Sequence, residues 1–259
     1  MFGITIYNLV AIRASDSDKS EMVSQLLFGD TYNILQESEN GKWLKIETEE
    51  DHYQGWMDKK LHFEVSEGYF NNNAEIRKHF CAEVVGYVEV EGIKQPIFFG
   101  SYLPHFDGNY VYFDNKRFPF IGKAEKIEKS TLNRDIVHTV SSFSSIPYLW
   151  GGKSHAGIDC SGLVQMVFRS CGYSVLRDAY QQAIMGTPVE YLDEARSGDL
   201  VFFSGESGKI THVGILISPQ EIIHAHGKVR TDKIDSTGII NGDSGLYSHK
   251  LTCIRRLMD

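Results

Sequence analysis

No run of clustered lysine and arginine occurs in this 259-residue chain, and its formal charge is −8. Phosphate contacts need a basic patch or stripe, so nucleic acid is not an expected partner. Beyond that, the acidic balance bears on solubility and says little about substrate. No apolar stretch approaches the roughly 18 residues that a membrane span needs. The opening, MFGITIYNLVAIRASDSDKS, has no basic head, no apolar core of signal length and no small-residue cleavage site. The expected location is therefore the cytoplasm, or the cell envelope had a signal been trimmed. Cysteine is scarce as well: Cys81, Cys160, Cys171 and Cys253, with no Cys-x-x-Cys spacing. In a long, unsignalled chain this favours reduced thiols over a disulfide framework, and the spacing rejects a zinc knuckle.

What is present is enough apolar residue, 42% of the chain, to bury a core in one large domain or two to three small ones. Residues 1 to about 65 read as short strands. Tyr32 and Ile34, then Glu39-Asn40-Gly41, then Trp43, Leu44 and Ile46 make a hairpin pattern, because Asn-Gly suits the tight turn between two β-rich runs. The stretch SEMVSQLLFGD is open between a helical turn and a strand. Residues 66–125 give a second all-β pattern, with turns expected at Glu91-Gly92 and Asp114-Asn115, and IGKAEKIEKS serves as a charged linker. From 128 onward the texture changes. Leu132, Ile136, Val137, Val140 and Phe143 recur at helical spacing, with Ser130 or Thr131 as N-cap and Pro147 as the stop. A glycine-rich loop, WGGKSHAGIDCSG, precedes a second helix closed by Gly172. DLVFF, THVGILI and EIIHAH then read as three strands. Helices first and antiparallel strands after make an α+β domain.

Cys160 opens that second helix, with Asp159 as N-cap. Cys160, Leu163, Val164, Val167, Phe168 and Cys171 fall on one face. A sulfur at a helix N-terminus meets unpaired N–H groups and the positive end of the dipole, which favour a thiolate and could receive an oxyanion. The alternative is a small buried hydrophobe, which fits Cys171 well. It fits Cys160 less well, because a glycine-rich loop marks a place where something must approach the backbone closely.

Alternation puts His212, Gly214 and Leu216 on one face of THVGILI, and Ile222, His224 and His226 on one face of EIIHAH. If the strands form a hairpin, a register that sets the two histidines opposite or diagonal brings their rings within hydrogen-bonding reach; a one-residue slip separates them. Should that face meet the cysteine helix, thiol, base and orienting group would stand in series: Cys160, His212 and His224. The competing reading is a zinc site built from His212 and the HAH pair. It is weakened because no Asp or Glu stands beside these histidines on the sheet face, so no metal or other cofactor is expected. His226 reads as a rim residue, and His155 as exposed in the loop and near substrate.

PYLWGGKSHAGIDCSGLVQMVFRSCGY, SGDLVFF, THVGILI and IIHAHG together resemble the NlpC-type cysteine peptidases of bacterial cell-wall metabolism. The resemblance covers about residues 128–259 and implies a circularly permuted papain-like fold, with Cys160 as nucleophile, His212 as base and His224 as third polar residue. Residues 1–65 resemble a bacterial SH3-like domain, and 66–125 a second one. The full arrangement resembles the γ-D-glutamyl-L-diamino acid endopeptidases similar to dipeptidyl-peptidase VI. That group cuts L-Ala-γ-D-Glu-diamino acid stem peptides of peptidoglycan and requires a free N-terminal L-Ala. The resemblance implies Tyr53, in YQGWMDKK with Gln54 replacing a family proline, as the phenol that holds the amine. It implies Glu21 as a second acid, with Asp159 and Ser161 flanking the nucleophile. Arg177 and Asp178 fall in a substrate-lining loop, where Arg177 could face a carboxylate; Trp150 walls the groove or packs in the core. The expected enzyme is a monomer that recycles imported stem peptides. The rival readings are an inactive wall-peptide-binding module and an acyltransferase or amidase on the same fold.

Overall fold

The computed structural model describes residues 1–129, 133–205 and 207–258. The chain divides into two compact units, Met1–Glu128 with Lys153–His155, and Lys129–Gly152 with Ala156–Asp259. No helix among the described residues is long and apolar enough to cross a membrane.

The first unit is built on a seven-stranded and a four-stranded antiparallel sheet, together with a two-stranded pair of His79–Cys81 and Ala124–Lys126. In the seven-stranded sheet the spatial order is Met22–Leu27, Leu9–Arg13, Gln54–Asp58, Trp43–Thr48, Thr31–Glu37, Phe2–Ile4 and Phe63–Val65. The ambiguous SEMVSQLLFGD segment is a strand because Leu9–Arg13 offers it a complete antiparallel partner. Gly41 takes φ +69° in the hairpin turn, where a side chain would be strained. The second sheet has four strands, in the order Ile93–Phe98, Val85–Val90, Lys116–Ile121 and Tyr110–Phe113. Glu91 and Gly92 both have positive φ, 52° and 78°, as a two-residue hairpin turn between paired Val90 and Ile93 requires. Ile4, Phe28 and Val65 pack in one apolar cluster with Val88, Ile97, Val111, Phe113 and Phe120, so both sheets close over a common core.

The second unit begins with the helix Asn133–Ser141; the expected caps Ser130 and Thr131, and Leu132, lie outside the described residues. The helix ends six residues before Pro147, where Ser142, Phe143 and Ser144 donate to carbonyls three residues back and tighten the last turn. The second helix, Cys160–Ser170, is capped by Asp159 and followed by Gly172 at φ +79°. It is not amphipathic in place: every residue from Cys160 to Arg169 is buried.

Seven strands follow where three were expected. Their spatial order is Thr187–Val189, Tyr247–Arg256, Leu200–Ser204, Ile210–Ser218, Glu221–His226, Lys228–Ile234 and Gly238–Ile240. Gly238–Ile240 also pairs with Tyr247–Arg256, closing six of them into a ring. Val201, Phe203, Leu216, Ile222, Ile234, Ile239 and Ile254 form one cluster. The Cys160 helix packs on Ile210–Ser218 and Glu221–His226, whose remaining face carries buried Val213, Ile215, Ile223 and Ala225.

Candidate active site

Asp159 sets the start of the cysteine helix. Its Oδ1 accepts the Gly162 N–H at 2.7 Å, and its Oδ2 accepts the Gly151 N–H at 2.9 Å, so one carboxylate ties the glycine loop to the first helical turn. The glycines serve this internal packing. A Cβ on Gly162 would stand 2.3 Å from the Gly152 carbonyl oxygen, and one on Gly152 would stand 2.4 Å from that of Gly157. What approaches the loop backbone is the chain itself.

Cys160 is 7% exposed, and its thiol is not ionised by its helix position. Burial, then the neighbouring Asp159 carboxylate, push it up to about 12, against the opposing pull of the Val213 and Ser161 backbones and of Arg177. Desolvation outweighs the helix end here. The Val213 backbone hydrogen bond to the sulfur places Cys160 beside the residue that follows His212. Tyr148, which sequence reasoning passed over, feels both Cys160 and Asp159; burial, then those two charges, raise its phenol above the ordinary range. Its signal was its place in PYLWGG, at the head of the loop.

Of the two allowed registers the strands adopt the diagonal one: Gly214 faces His224, and His212 lies two residues further along. Gly214 is needed there, because a Cβ would come within 3.0 Å of the His224 Cβ and closer still to Ile222. His212 Nε2 and His224 Nδ1 are 2.8 Å apart. By strand alternation both rings share a face with Leu216 and Ile222, which belong to the apolar cluster of the closed sheet. Burial, then the charges of His224, His249 and His226, hold His212 well below the usual imidazole range; burial lowers His224 to about 4 even though Asp232 opposes it.

An acidic neighbour does exist, contrary to the sequence expectation: Asp232, on the next strand, stands 3.1 Å from His224 Nε2. His249 was also missed; it stacks on His212 with ring centroids 4.2 Å apart. Both come from strands that no motif marked. One nitrogen each from His212, His224 and His249 lies within 4.8 Å of the others, so His249 rather than exposed His226 joins the cluster. The 2.8 Å His212–His224 separation is that of a hydrogen bond, whereas two nitrogens on one zinc stand about 3.3 Å apart.

The other expected residues are placed as follows. Arg177 is 1% exposed and turned inward: its Nη1 and Nη2 donate to Asp159 at 3.1 and 2.6 Å, and Nη1 donates to Ser161 Oγ at 2.8 Å. The expectation that it faces a substrate carboxylate gives way to this internal partner, which neutralises Asp159 in a dry site. Ser161 Oγ in turn stands 3.3 Å from Asp159 Oδ1. Asp178 precedes the short helix Ala179–Gln182, its N–H donating to Gln181 Oε1 at 2.9 Å. Trp150 is 59% exposed, which rules out the core alternative. His155 is buried, not exposed, and its ring meets Phe99 edge-on within the first unit. Tyr53 and Glu21 also belong to the first unit. The Tyr53 N–H donates to Thr48 Oγ1 at 2.8 Å in a turn held by Thr48 and Asp51, and Gln54 bonds Glu47, so the turn is secured without proline. Glu21 is exposed at the foot of the Met22–Leu27 strand.

The profile of the NlpC/P60 family matches residues 145–244, and that of the bacterial dipeptidyl-peptidase Sh3 domain matches residues 12–60. The chain is 32% identical over 251 residues to the gamma-D-glutamyl-L-lysine dipeptidyl-peptidase of Bacillus subtilis (strain 168), covering 90% of this chain and 80% of that protein. The chain belongs to the NlpC/P60 family. A second relative of the NlpC/P60 chain is dipeptidyl-peptidase 6 of Lysinibacillus sphaericus, 27% identical over 253 residues, with 87% and 88% of the two chains covered. In fold it is similar to the crystal structure of an NlpC/P60 family protein from Bacillus cereus ATCC 10987, with a TM-score of 0.83 and 17% identity over the whole of both chains. The NlpC/P60 domain is thus a papain-like cysteine peptidase domain behind SH3-like β domains, in a family of peptidoglycan hydrolases.

Proposed function

We propose that this NlpC/P60 peptidase cleaves the bond between γ-D-Glu and the diamino acid in stem peptides that begin with a free L-Ala. The observation that carries the reading is the buried, hydrogen-bonded His212–His224 pair, one residue along the strand from the backbone that meets the Cys160 sulfur. Relatives named for γ-D-glutamyl dipeptidyl-peptidase activity supply the substrate class. In the proposed reaction His212 takes the thiol proton as Cys160 sulfur bonds to the scissile carbonyl carbon. The carbon–nitrogen bond then breaks, the leaving amine takes that proton, and water releases the acyl group from sulfur. His224 orients His212. Burial favours the neutral thiol and the neutral imidazole, so in this reading proton transfer accompanies attack rather than preceding it. The need for a free amine, and the parts of Tyr53 and Glu21 in it, rest on the resemblance; a site that pairs an ammonium rejects an acylated terminus by leaving its acceptors unpaired.

The test is incubation with L-Ala-γ-D-Glu-diamino acid tripeptide and with its N-acetylated form. L-Ala-D-Glu is expected from the free peptide alone, and Cys160→Ala abolishes release. Equal cutting of both forms removes the amine requirement but keeps the peptidase. Binding without cleavage favours the inactive-module reading. Activity should survive a chelator.

A further inference from the structure

His224 is in contact with groups beyond the pair. Asp232 is 4% exposed. Its Oδ1 accepts the Gly242 N–H and an Arg230 Nη2 hydrogen, each at 2.9 Å, and its Oδ2 lies 3.1 Å from His224 Nε2. Arg230 is anchored in turn to Asp243 at 2.5 Å. Around His224 the other titratable groups are His212, His226 and His249, with ring centroids 5.0, 6.0 and 5.7 Å away. None of these is an anion, so Asp232 is the one carboxylate among the described groups in contact with the ring.

We propose that Asp232 is a positioning residue that sets the tautomer of His212 through His224. The argument is one of donors and acceptors and rests on the assignment of His212 as base. An ionised carboxylate only accepts, so His224 Nε2 must carry the hydrogen that it donates to Oδ2. His224 Nδ1 is then a bare acceptor. At 2.8 Å from it, His212 Nε2 must carry a hydrogen, which leaves the lone pair of His212 on Nδ1. The nitrogen free to take a thiol proton is thereby chosen two residues away from the thiol. Asp232 is held in its ionised form: burial pushes its pKa up, but the Gly242 N–H, His224 and Arg230 more than reverse this and keep it below the ordinary carboxyl value.

The discriminating variant is Asp232→Asn, nearly identical in shape. The Gly242 N–H and the Arg230 Nη2 hydrogen keep the amide oxygen at the Oδ1 position, so the amide NH2 takes the Oδ2 position, facing His224 with Arg230 Nε alongside, 2.9 Å from that position. Two donors cannot face each other, so His224 moves its hydrogen to Nδ1, and His212 moves its own from Nε2 to Nδ1. The base nitrogen is then occupied. We expect kcat to fall on the order of 10³-fold or more with KM little changed, by analogy with a wrong-tautomer serine-protease triad. Long-range 1H–15N spectra of histidine-labelled protein should show both rings with hydrogen on Nε2 in the wild type and on Nδ1 in Asp232→Asn, at unchanged melting temperature. Either a wild-type His212 bearing its hydrogen on Nδ1, or an Asp232→Asn enzyme within tenfold of wild-type kcat, overturns the inference. A fully active His212→Ala would instead overturn the base assignment, and the spectra would still report on Asp232.

Discussion

Cys160 carries two opposing influences, and their balance can be read in its reactivity. The helix end and the Arg177 guanidinium favour a thiolate; burial and Asp159 favour the thiol and prevail, pushing it up to about 12. Iodoacetamide reacts with the thiolate. Labelling of Cys160, followed by peptide mass, should therefore be slower at pH 7 than for an ordinary thiol and should still be climbing above pH 9. A rate that levels off below pH 7 would mean a thiolate–imidazolium pair at rest, and the concerted proton transfer proposed above would be wrong. The same desolvation keeps His212 neutral and able to accept a proton, so the acid limb of kcat/KM should lie below the ordinary imidazole value.

The element that presents the sulfur depends on Asp159, which caps the helix, holds the Gly151 N–H and pairs with buried Arg177. Asp159→Ala should cost about 3–5 kcal/mol in urea unfolding, because it strands a buried guanidinium. Removing Arg177 as well, as Asp159→Ala/Arg177→Met, should recover part of that loss. Additive losses would show that the two charges do not interact. Gly162→Ala should cost roughly 1–3 kcal/mol, since its Cβ would stand 2.3 Å from the Gly152 oxygen and the loop would have to shift. Helix and loop are one packed element, and the amphipathic pattern understates this because it does not register Ser161, Gln165 and Arg169 as buried.

For the molecule as a whole, the buried imidazoles link stability to pH. His212 is held well below its ordinary value, and His224 and His249 are lowered to about 4, chiefly by burial. The folded chain thus binds fewer protons than the unfolded chain between about pH 4 and the unperturbed value of about 6.5. Stability follows the difference in bound protons. Their contribution is complete above 6.5 and is lost progressively as pH falls from there towards 4. The urea midpoint should fall between pH 7.5 and pH 5. A flat midpoint over that range would mean that the rings protonate in the folded protein at no cost.

Much of the site was legible because its signals are local. The helix start at Cys160 with its Asp159 cap, Gly172 after the last turn, and the shared face of His212 and Gly214 follow from neighbouring residues and from the periods of helix and strand. Asp232, His249 and the inward turn of Arg177 were not legible, because each depends on a partner distant in sequence or on a strand without a motif. The sequence by itself determined the Cys160 helix with its cap and which side chains of the two histidine strands share a face, since backbone geometry repeats every few residues. Only the tertiary structure decided the diagonal register, the carboxylate behind His224 and the neutral state of the thiol, since pairing and desolvation arise when distant segments exclude water together.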